Sequence, residues 1–224
     1  MQSTQNQIII LTLLLFILLP LMASARLQAP RAYEEKGQSL VEQASQKLKS
    51  FQTLQLAFSY VMENPNQGLL ETMDGTLISK GEKYHMQVGD NVFISDGTTL
   101  WAYLEDLDEV HISLVEHTEG AMTPTSILEE FGTQYKATFI RQERHQGQLV
   151  DIVDLVPNTP QAFFKYRIAL DANDSMMVYA IAYDRHGGTY TYTISEVEVN
   201  KPVADAIFSF SETDYPGIDV IDLR

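Results

Sequence analysis

The sequence predicts a mostly β, α+β domain with about ten antiparallel strands in one sheet, one long helix and one short helix. Apolar residues recur at helical spacing only near residues 33–50 and 124–131. Elsewhere they alternate with polar residues, which is typical of half-buried strands. Glycine, asparagine and aspartate mark turns at short intervals, as hairpins require. We find no internal repeat, linker or compositional break after residue 25, so a single domain is expected.

Residues 1–25 have the pattern of a signal peptide. An apolar run over residues 8–22 is interrupted only by Thr12 and Pro20 and precedes the small residues Ala23, Ser24 and Ala25. The run is shorter than the roughly 20 residues of a membrane-spanning helix. Residues 1–7 contain no lysine or arginine, which leaves an uncleaved anchor as the alternative. We expect cleavage after Ala25, and residues 26–224 as the exported domain.

The composition excludes several functional classes. The chain has no cysteine, so disulfides, thiol catalysis, thiolate metal sites and lipid attachment to this protein are excluded. With 30 acidic and 15 basic residues the formal charge is −15, and such a surface repels nucleic-acid phosphates and anionic lipid headgroups. Neither nucleic-acid binding nor a permanent place on a membrane is expected. The acidity indicates either solubility or docking towards basic partners.

The first half of residues 26–224 reads as a loose leader, a helix and a meander. The leader covers residues 26–32, and Leu40, Val41, Ala44 and Leu48 give residues 33–50 an apolar helical stripe. The period then changes to two in a strand over residues 54–62. The Asp96-Gly97 pair is the strongest hairpin signal that follows. The further strands predicted in this half are 69–79, 83–88, 91–95, 98–104 and 109–115.

A short helix is predicted to interrupt the strands. Thr123 suits the N-cap and Pro124 the first helical position, and residues 124–131 present Ile127, Leu128 and Phe131 on one side. Two amphipathic helices are too few to cover one face of so many strands, which indicates an apolar groove. The strands predicted after this helix are 135–144, 148–156, 163–170, 176–184, 189–199 and 207–210.

Several short motifs, in order along most of residues 26–224, together resemble the LolA family of periplasmic outer-membrane lipoprotein carriers. The most specific is the SDG-to-tryptophan hairpin over residues 95–103. The others are Gly75-Thr76-Leu77 ahead of Tyr84-His85-Met86, Thr123-Pro124 with Ile127-Leu128, Leu155-Val156-Pro157, and Ile207-Phe208-Ser209-Phe210.

This resemblance implies an unclosed antiparallel β-barrel of about ten to eleven strands, with a helical lid over an apolar cavity. In the family the cavity takes acyl chains of lipoproteins released by an inner-membrane ABC transporter and passes them to an outer-membrane acceptor. The sequence departs from the family at Gly81. Well-studied members have an arginine there, after the lysine aligned with Lys80, and it helps to hold the lid closed. The way in which the family holds its lid closed therefore cannot be carried over to this sequence.

The candidate binding residues are apolar, because acyl chains offer no hydrogen bonds and are held only by burial, at about 0.8 kcal/mol per methylene. Flexible or flat side chains suit such a site. The alternative for each residue is a filled core. The candidates are the apolar side of the early strands, namely Leu56, Phe58, Tyr60, Met62, Leu77, Tyr84, Met86, Trp101 and Tyr103, together with Ile127, Leu128 and Phe131 of the lid.

No catalytic arrangement is evident, and neither a metal nor a cofactor is expected. The five histidines lack HxH or HExxH spacing. Ser95-Asp96-Gly97 forms a hairpin turn instead of a nucleophile elbow, because no helix follows it. Asp151 and Asp154 are predicted on opposite faces of one strand, so they cannot act as a carboxylate pair.

The leading hypothesis is a monomeric, non-enzymatic shuttle for the acyl chains of lipoproteins or other lipids. The alternative is a related lipid-binding or envelope-stress sensing domain that acts through a protein partner. A third is an enzyme acting on lipids. Under the shuttle hypothesis, charged substitutions at Phe58 or Trp101 should abolish uptake. An edge strand of an unclosed barrel could also pair with another chain.

Overall fold

The computed structural model describes residues 30–115 and 134–224, with the side chain of Asp214 left out. Helix α1 covers residues 30–49, so residues 30–32 of the expected leader are helical. Pro30 is tolerated there because the first turn of a helix needs no backbone N–H donor. The predicted signal peptide and lid helix lie outside the described residues. Within those residues, no helix has the length and apolar character needed to span a membrane.

Twelve strands form one sheet in the described part of the chain, slightly more than the ten to eleven expected. Eleven of them are joined in antiparallel pairs, and β12 pairs in parallel with β6. The spatial order is β12-β6-β5-β4-β3-β2-β1-β11-β10-β9-β8-β7. The strands are β1 Leu54–Asn64, β2 Leu69–Lys80, β3 Lys83–Val88, β4 Asn91–Ser95, β5 Thr99–Leu104, β6 Glu109–Leu114, β7 Tyr135–His145, β8 Gln148–Pro157, β9 Phe163–Asp171, β10 Met177–Asp184, β11 Thr189–Val199 and β12 Asp219–Asp222.

The prediction of a last strand over residues 207–210 was wrong. Asp205–Phe208 forms a 3₁₀ turn that buries Phe208 to 1% exposure. A four-residue alternation is short enough to suit either a strand or a 3₁₀ turn, and this segment is not one of the paired strands of the sheet. The final strand is instead β12, in a segment for which no strand was predicted.

Helix α1 lies on one face of the sheet, which we call the helix face. It approaches β7 closely at Gly37, where an added Cβ would lie 2.6 Å from the Phe139 nitrogen. Farther along, Val41 and Ala44 are buried against β7 to β10. The sheet residues of this core are Tyr135, Ala137, Val153, Leu155, Tyr166, Ile168, Leu170, Met177, Ala180 and Ala182.

The C-terminal segment contacts the other face of the sheet, which we call the opposite face. Ring centroids of Tyr215 lie 4.9 Å from Tyr103 and 5.4 Å from Phe210. Lys80 donates to Asp205 at 2.7 Å, but the Asp205 side chain is 63% exposed and the pair contributes little stability. The apolar contacts, with Phe208, therefore hold this segment in place.

Candidate functional site

The apolar residues of β1, β2 and β3 share the helix face. Side chains directly opposite one another in a ladder point to the same side of a sheet. Leu56 pairs with Leu77, and Leu77 in turn with Met86. Seven of the predicted residues lie on this face: Leu56, Phe58, Tyr60, Met62, Leu77, Tyr84 and Met86.

Burial divides these seven residues into a floor and an accessible part. Leu56, Phe58, Leu77 and Met86 are between 0% and 7% exposed, so they are packed in a core. Tyr60, Met62 and Tyr84 are half-buried. A ligand on this face would therefore contact the second group and rest above the first.

The floor depends on a glycine opposite an aromatic ring. Phe58 and Gly75 are cross-strand partners. A Cβ added at Gly75 would lie 2.4 Å from the Phe58 Cζ atom and 2.8 Å from the Gln87 carbonyl oxygen. The ring of Phe58 therefore occupies the space that any larger residue at position 75 would need.

The expectation that Trp101 and Tyr103 share this face was wrong. Phe93 lies on the helix face opposite Met86, and its partner in β5 is Ala102. Because successive residues of a strand point to opposite sides, Trp101 and Tyr103 lie on the opposite face. Tyr103 contacts the C-terminal segment there. The lid candidates Ile127, Leu128 and Phe131 lie outside the described residues.

Tyrosines of β11 extend the helix-face set beyond the predicted residues. Tyr192 lies opposite Tyr60, with ring centroids 4.9 Å apart, and Tyr190 lies opposite Met62. Burial, followed by the nearby Tyr190 and Glu71 groups, raises the pKa of Tyr60 to about 12. Burial also raises the pKa of Tyr84 to about 12. Tyr190 and Tyr192 alternate with threonines, and this alternation indicates that the two tyrosines share a face. It does not indicate that the shared face is the helix face.

A cleft of about 440 Å³ opens at the C-terminal end of α1. Val178 and Ser195 in its lining sit at irregularities in the ladders of β10 and β11, where the register shifts. Such bulges bend a strand and redirect its side chains. None of the predicted residues lines this cleft, so sequence reasoning missed it. The lining residues are Lys47, Phe51, Gln148, Asp174, Met176, Met177, Val178, Ile194, Ser195, Val197 and Val199.

The turn between β2 and β3 explains the departure at position 81. Gly81 has a φ of +59°, a backbone conformation that side-chain-bearing residues rarely adopt. The neighbouring Lys80 is paired with Asp205. The backbone at this turn therefore favours glycine over arginine.

Asp151 and Asp154 take part in separate structural contacts. Asp151 lies 3.8 Å from Lys36 of α1, whereas Asp154 accepts two hydrogen bonds from Arg167 at 2.6 and 2.8 Å. The two carboxylates thus lie on opposite faces, as alternation predicts. Over residues 30–115 and 134–224, no three histidine or acidic side chains are grouped as a metal site would require.

Comparisons with known proteins place the fold. The sequence profile described as "Outer membrane lipoprotein carrier protein LolA" matches residues 49–211. An uncharacterized conserved protein from Thermus thermophilus aligns with a TM-score of 0.58 at 10% identity, covering 84% of this chain and 99% of that one. No curated protein sequence matches the chain.

Two further solved structures align more loosely. A putative outer membrane lipoprotein-sorting protein domain from Vibrio parahaemolyticus has a TM-score of 0.46 at 13% identity, covering 78% of this chain and 97% of its own. The Mycobacterium tuberculosis lipoprotein LppX has a TM-score of 0.46 at 12% identity, with coverages of 76% and 98%. The profile covers well over half of the chain, and the strands of the chain form an unclosed sheet with a helix on one face. The protein therefore belongs to the LolA family of outer membrane lipoprotein carriers.

Proposed function

We propose that this protein is a periplasmic carrier that binds the acyl chains of lipoproteins on the helix face of its sheet. It moves them between the inner and outer membranes by binding and release, without catalysing a reaction. Residues 1–25 act as a cleaved signal peptide. An inner-membrane ABC transporter is the donor, and an outer-membrane protein is the acceptor.

The observation that carries this proposal is the apolar surface beside α1 on the helix face. Tyr60, Met62 and Tyr84 are half-buried there, above a floor of fully buried aliphatic and aromatic side chains. The cleft at the end of α1 adds about 440 Å³, within the roughly 300–1,000 Å³ typical of small-molecule sites. Membership of the LolA family supports the choice of lipoproteins as ligand.

The partial exposure of this surface suits reversible binding. Complete burial of an acyl chain at about 0.8 kcal/mol per methylene would sum to more than ten kcal/mol for a long chain. A carrier must release its cargo, so part of each chain has to remain near water. The side chains that contact the ligand are then Tyr60, Met62 and Tyr84, and the floor determines the shape of the site.

Adjacent residues of β1 provide a matched test. Met62 lies on the helix face and Val61 on the opposite face, and both are half-buried. Met62→Lys should lower the uptake of an acylated lipoprotein peptide at least tenfold, because a charge replaces apolar contact. Val61→Lys should leave uptake within about twofold. Circular dichroism should show that both variants are folded.

Mass spectrometry of the natively purified protein provides an independent measurement. We expect an acylated lipoprotein or lipid to be released on denaturation. Equal losses of uptake in the two lysine variants would contradict the location of the site. Failure of the unmodified protein to take up any acylated peptide, together with recovery of a signalling protein alone, would favour a sensing domain.

A further inference from the structure

A group of tyrosines lies at one end of the helix face, where β11, β1 and β2 meet. Tyr60 and Tyr192 have ring centroids 4.9 Å apart with planes at 49°. Tyr190 is one alternation away from Tyr192 on β11 and pairs with Met62. All three tyrosines are half-buried, so part of each residue is accessible. We call this group, with Met62, the tyrosine end.

Two carboxylates accompany the tyrosine end on the same face. Glu71 lies directly opposite Met62 in the ladder and is exposed. Asp184 accepts a hydrogen bond from the Tyr190 hydroxyl at 3.0 Å. Burial alone would raise the pKa of Asp184, but bonds from the backbone N–H groups of Gly188 and His186 outweigh it and lower the pKa. Asp184 is therefore ionised at neutral pH.

Lysine and arginine are missing from the helix-face ladder positions around the tyrosine end. Following the ladders of β1, β2, β10 and β11, the described helix-face positions include no lysine or arginine. Lys165 and Arg167 flank Tyr166 in β9, but both lie on the opposite face, where Lys165 lies over the ring of Tyr183 and Arg167 pairs with Asp154. The tyrosine end thus combines partly exposed tyrosine side chains with two carboxylates, and the nearest basic groups, Arg185 and His186, lie in the turn that follows β10.

We infer that the tyrosine end binds the cationic headgroup of an amine-bearing amphiphile whose chain lies along the helix face. The π-face of tyrosine attracts ammonium groups electrostatically. Glu71 and Asp184 supply the negative potential, and the net charge of −15 reinforces it at long range. An anionic headgroup meets no lysine or arginine at the helix-face ladder positions. The inference rests on the proposed function, since the helix face must first accept the chain.

Three surfactants with the same chain separate headgroup recognition from chain binding. Isothermal titration calorimetry of the purified protein would use dodecyltrimethylammonium, dodecyl maltoside and dodecyl sulfate, each below its critical micelle concentration. We expect the ammonium compound to bind about tenfold more tightly than the uncharged maltoside, the order of one partly desolvated cation–π contact. The sulfate should bind more weakly than either.

A matched pair of variants distinguishes the local site from the overall charge. Glu71→Gln should reduce the preference for the ammonium compound several-fold and leave maltoside binding unchanged. Glu63→Gln removes the same charge from the same hairpin end, but on the opposite face, and should retain the preference within about twofold. Tyr60→Leu keeps an apolar contact and should also reduce the preference.

The outcomes separate two failures. Equal binding of the ammonium and maltoside compounds would overturn the headgroup inference while leaving chain binding intact. An equal loss in Glu63→Gln and Glu71→Gln would also overturn it, because long-range charge alone would then be responsible. Absence of binding by all three compounds would contradict the proposed function itself.

Discussion

Replacing Gly75 with alanine tests whether the floor of the candidate site is as tightly packed as the structure indicates. The new Cβ would lie 2.4 Å from Phe58 Cζ and 2.5 Å from Phe58 Cε2. Contacts this short force the ring or the backbone to move. Overpacking of a well-packed core costs about 1–3 kcal/mol, and we expect about 2 kcal/mol for Gly75→Ala. In a chain of this size that lowers Tm by roughly 4–8 °C.

A second substitution identifies the clashing group. Phe58→Leu alone should cost about 1–2 kcal/mol, because Phe58 is only 2% exposed and part of its ring is lost. In the double variant the shorter side chain relieves the clash. Its loss of unfolding free energy should therefore be about 1 kcal/mol smaller than the sum of the losses in the two single variants. The relief is partial, because the Gln87 carbonyl oxygen still lies 2.8 Å from the added Cβ.

Urea denaturation followed by circular dichroism would measure the free energies of unfolding. Gly37→Ala provides the control, since its added Cβ would meet the backbone of Thr138 and Phe139 instead of Phe58. Combined with Phe58→Leu it should be additive within about 0.5 kcal/mol. Additivity of the Gly75→Ala and Phe58→Leu losses as well would refute the contact between ring and glycine.

Two further predictions concern pH. Burial raises the pKa of Asp171, but bonds from the Gln148 side chain and from the following backbone N–H groups outweigh it and hold the pKa below its usual 3.8. The contribution of ionised Asp171 to the stability of the folded protein is complete above pH 3.8 and is lost as pH falls through the lower folded-state pKa. Asp171→Asn should therefore flatten the acid side of a plot of Tm against pH. A steep acid side in that variant would contradict this role. Because the folded-state pKa values of Tyr60 and Tyr84 are raised to about 12, their stabilisation is complete below pH 10 and is lost as pH rises towards 12. Ultraviolet absorbance should show late phenolate formation, and Tyr84→Phe should remove part of that late component but leave earlier titration unchanged.

Local patterns in the sequence were sufficient for most strands. The bounds of β3, β4 and β11 agree with the prediction residue for residue. Each of these strands begins or ends at a glycine- or aspartate-containing turn, and such turns determine where a ladder stops. The family resemblance indicated the unclosed sheet with a helix on one face, and the profile match and the sheet order confirm it.

The composition of the candidate site was predicted only in part. Alternation along β1 correctly placed Leu56, Phe58, Tyr60 and Met62 on one side, because a single strand has a fixed period of two. The same rule could not place Trp101. Strand β5 is apolar on both faces, because Leu100 and Ala102 lie on the helix face and Tyr103 packs against the C-terminal segment on the opposite face.

The sequence by itself determined the strand-rich class, the position of most turns, the acidic surface and the absence of thiol chemistry. Only the tertiary structure decided which side chains share the helix face, where the cleft opens and how the C-terminal segment packs. The physical reason is that the face on which a side chain lies, relative to side chains of other strands, depends on the register of every strand pair between them. A single bulge, such as the one at Ser195, shifts that register, and the alternation of polar and apolar residues in the sequence does not reveal it.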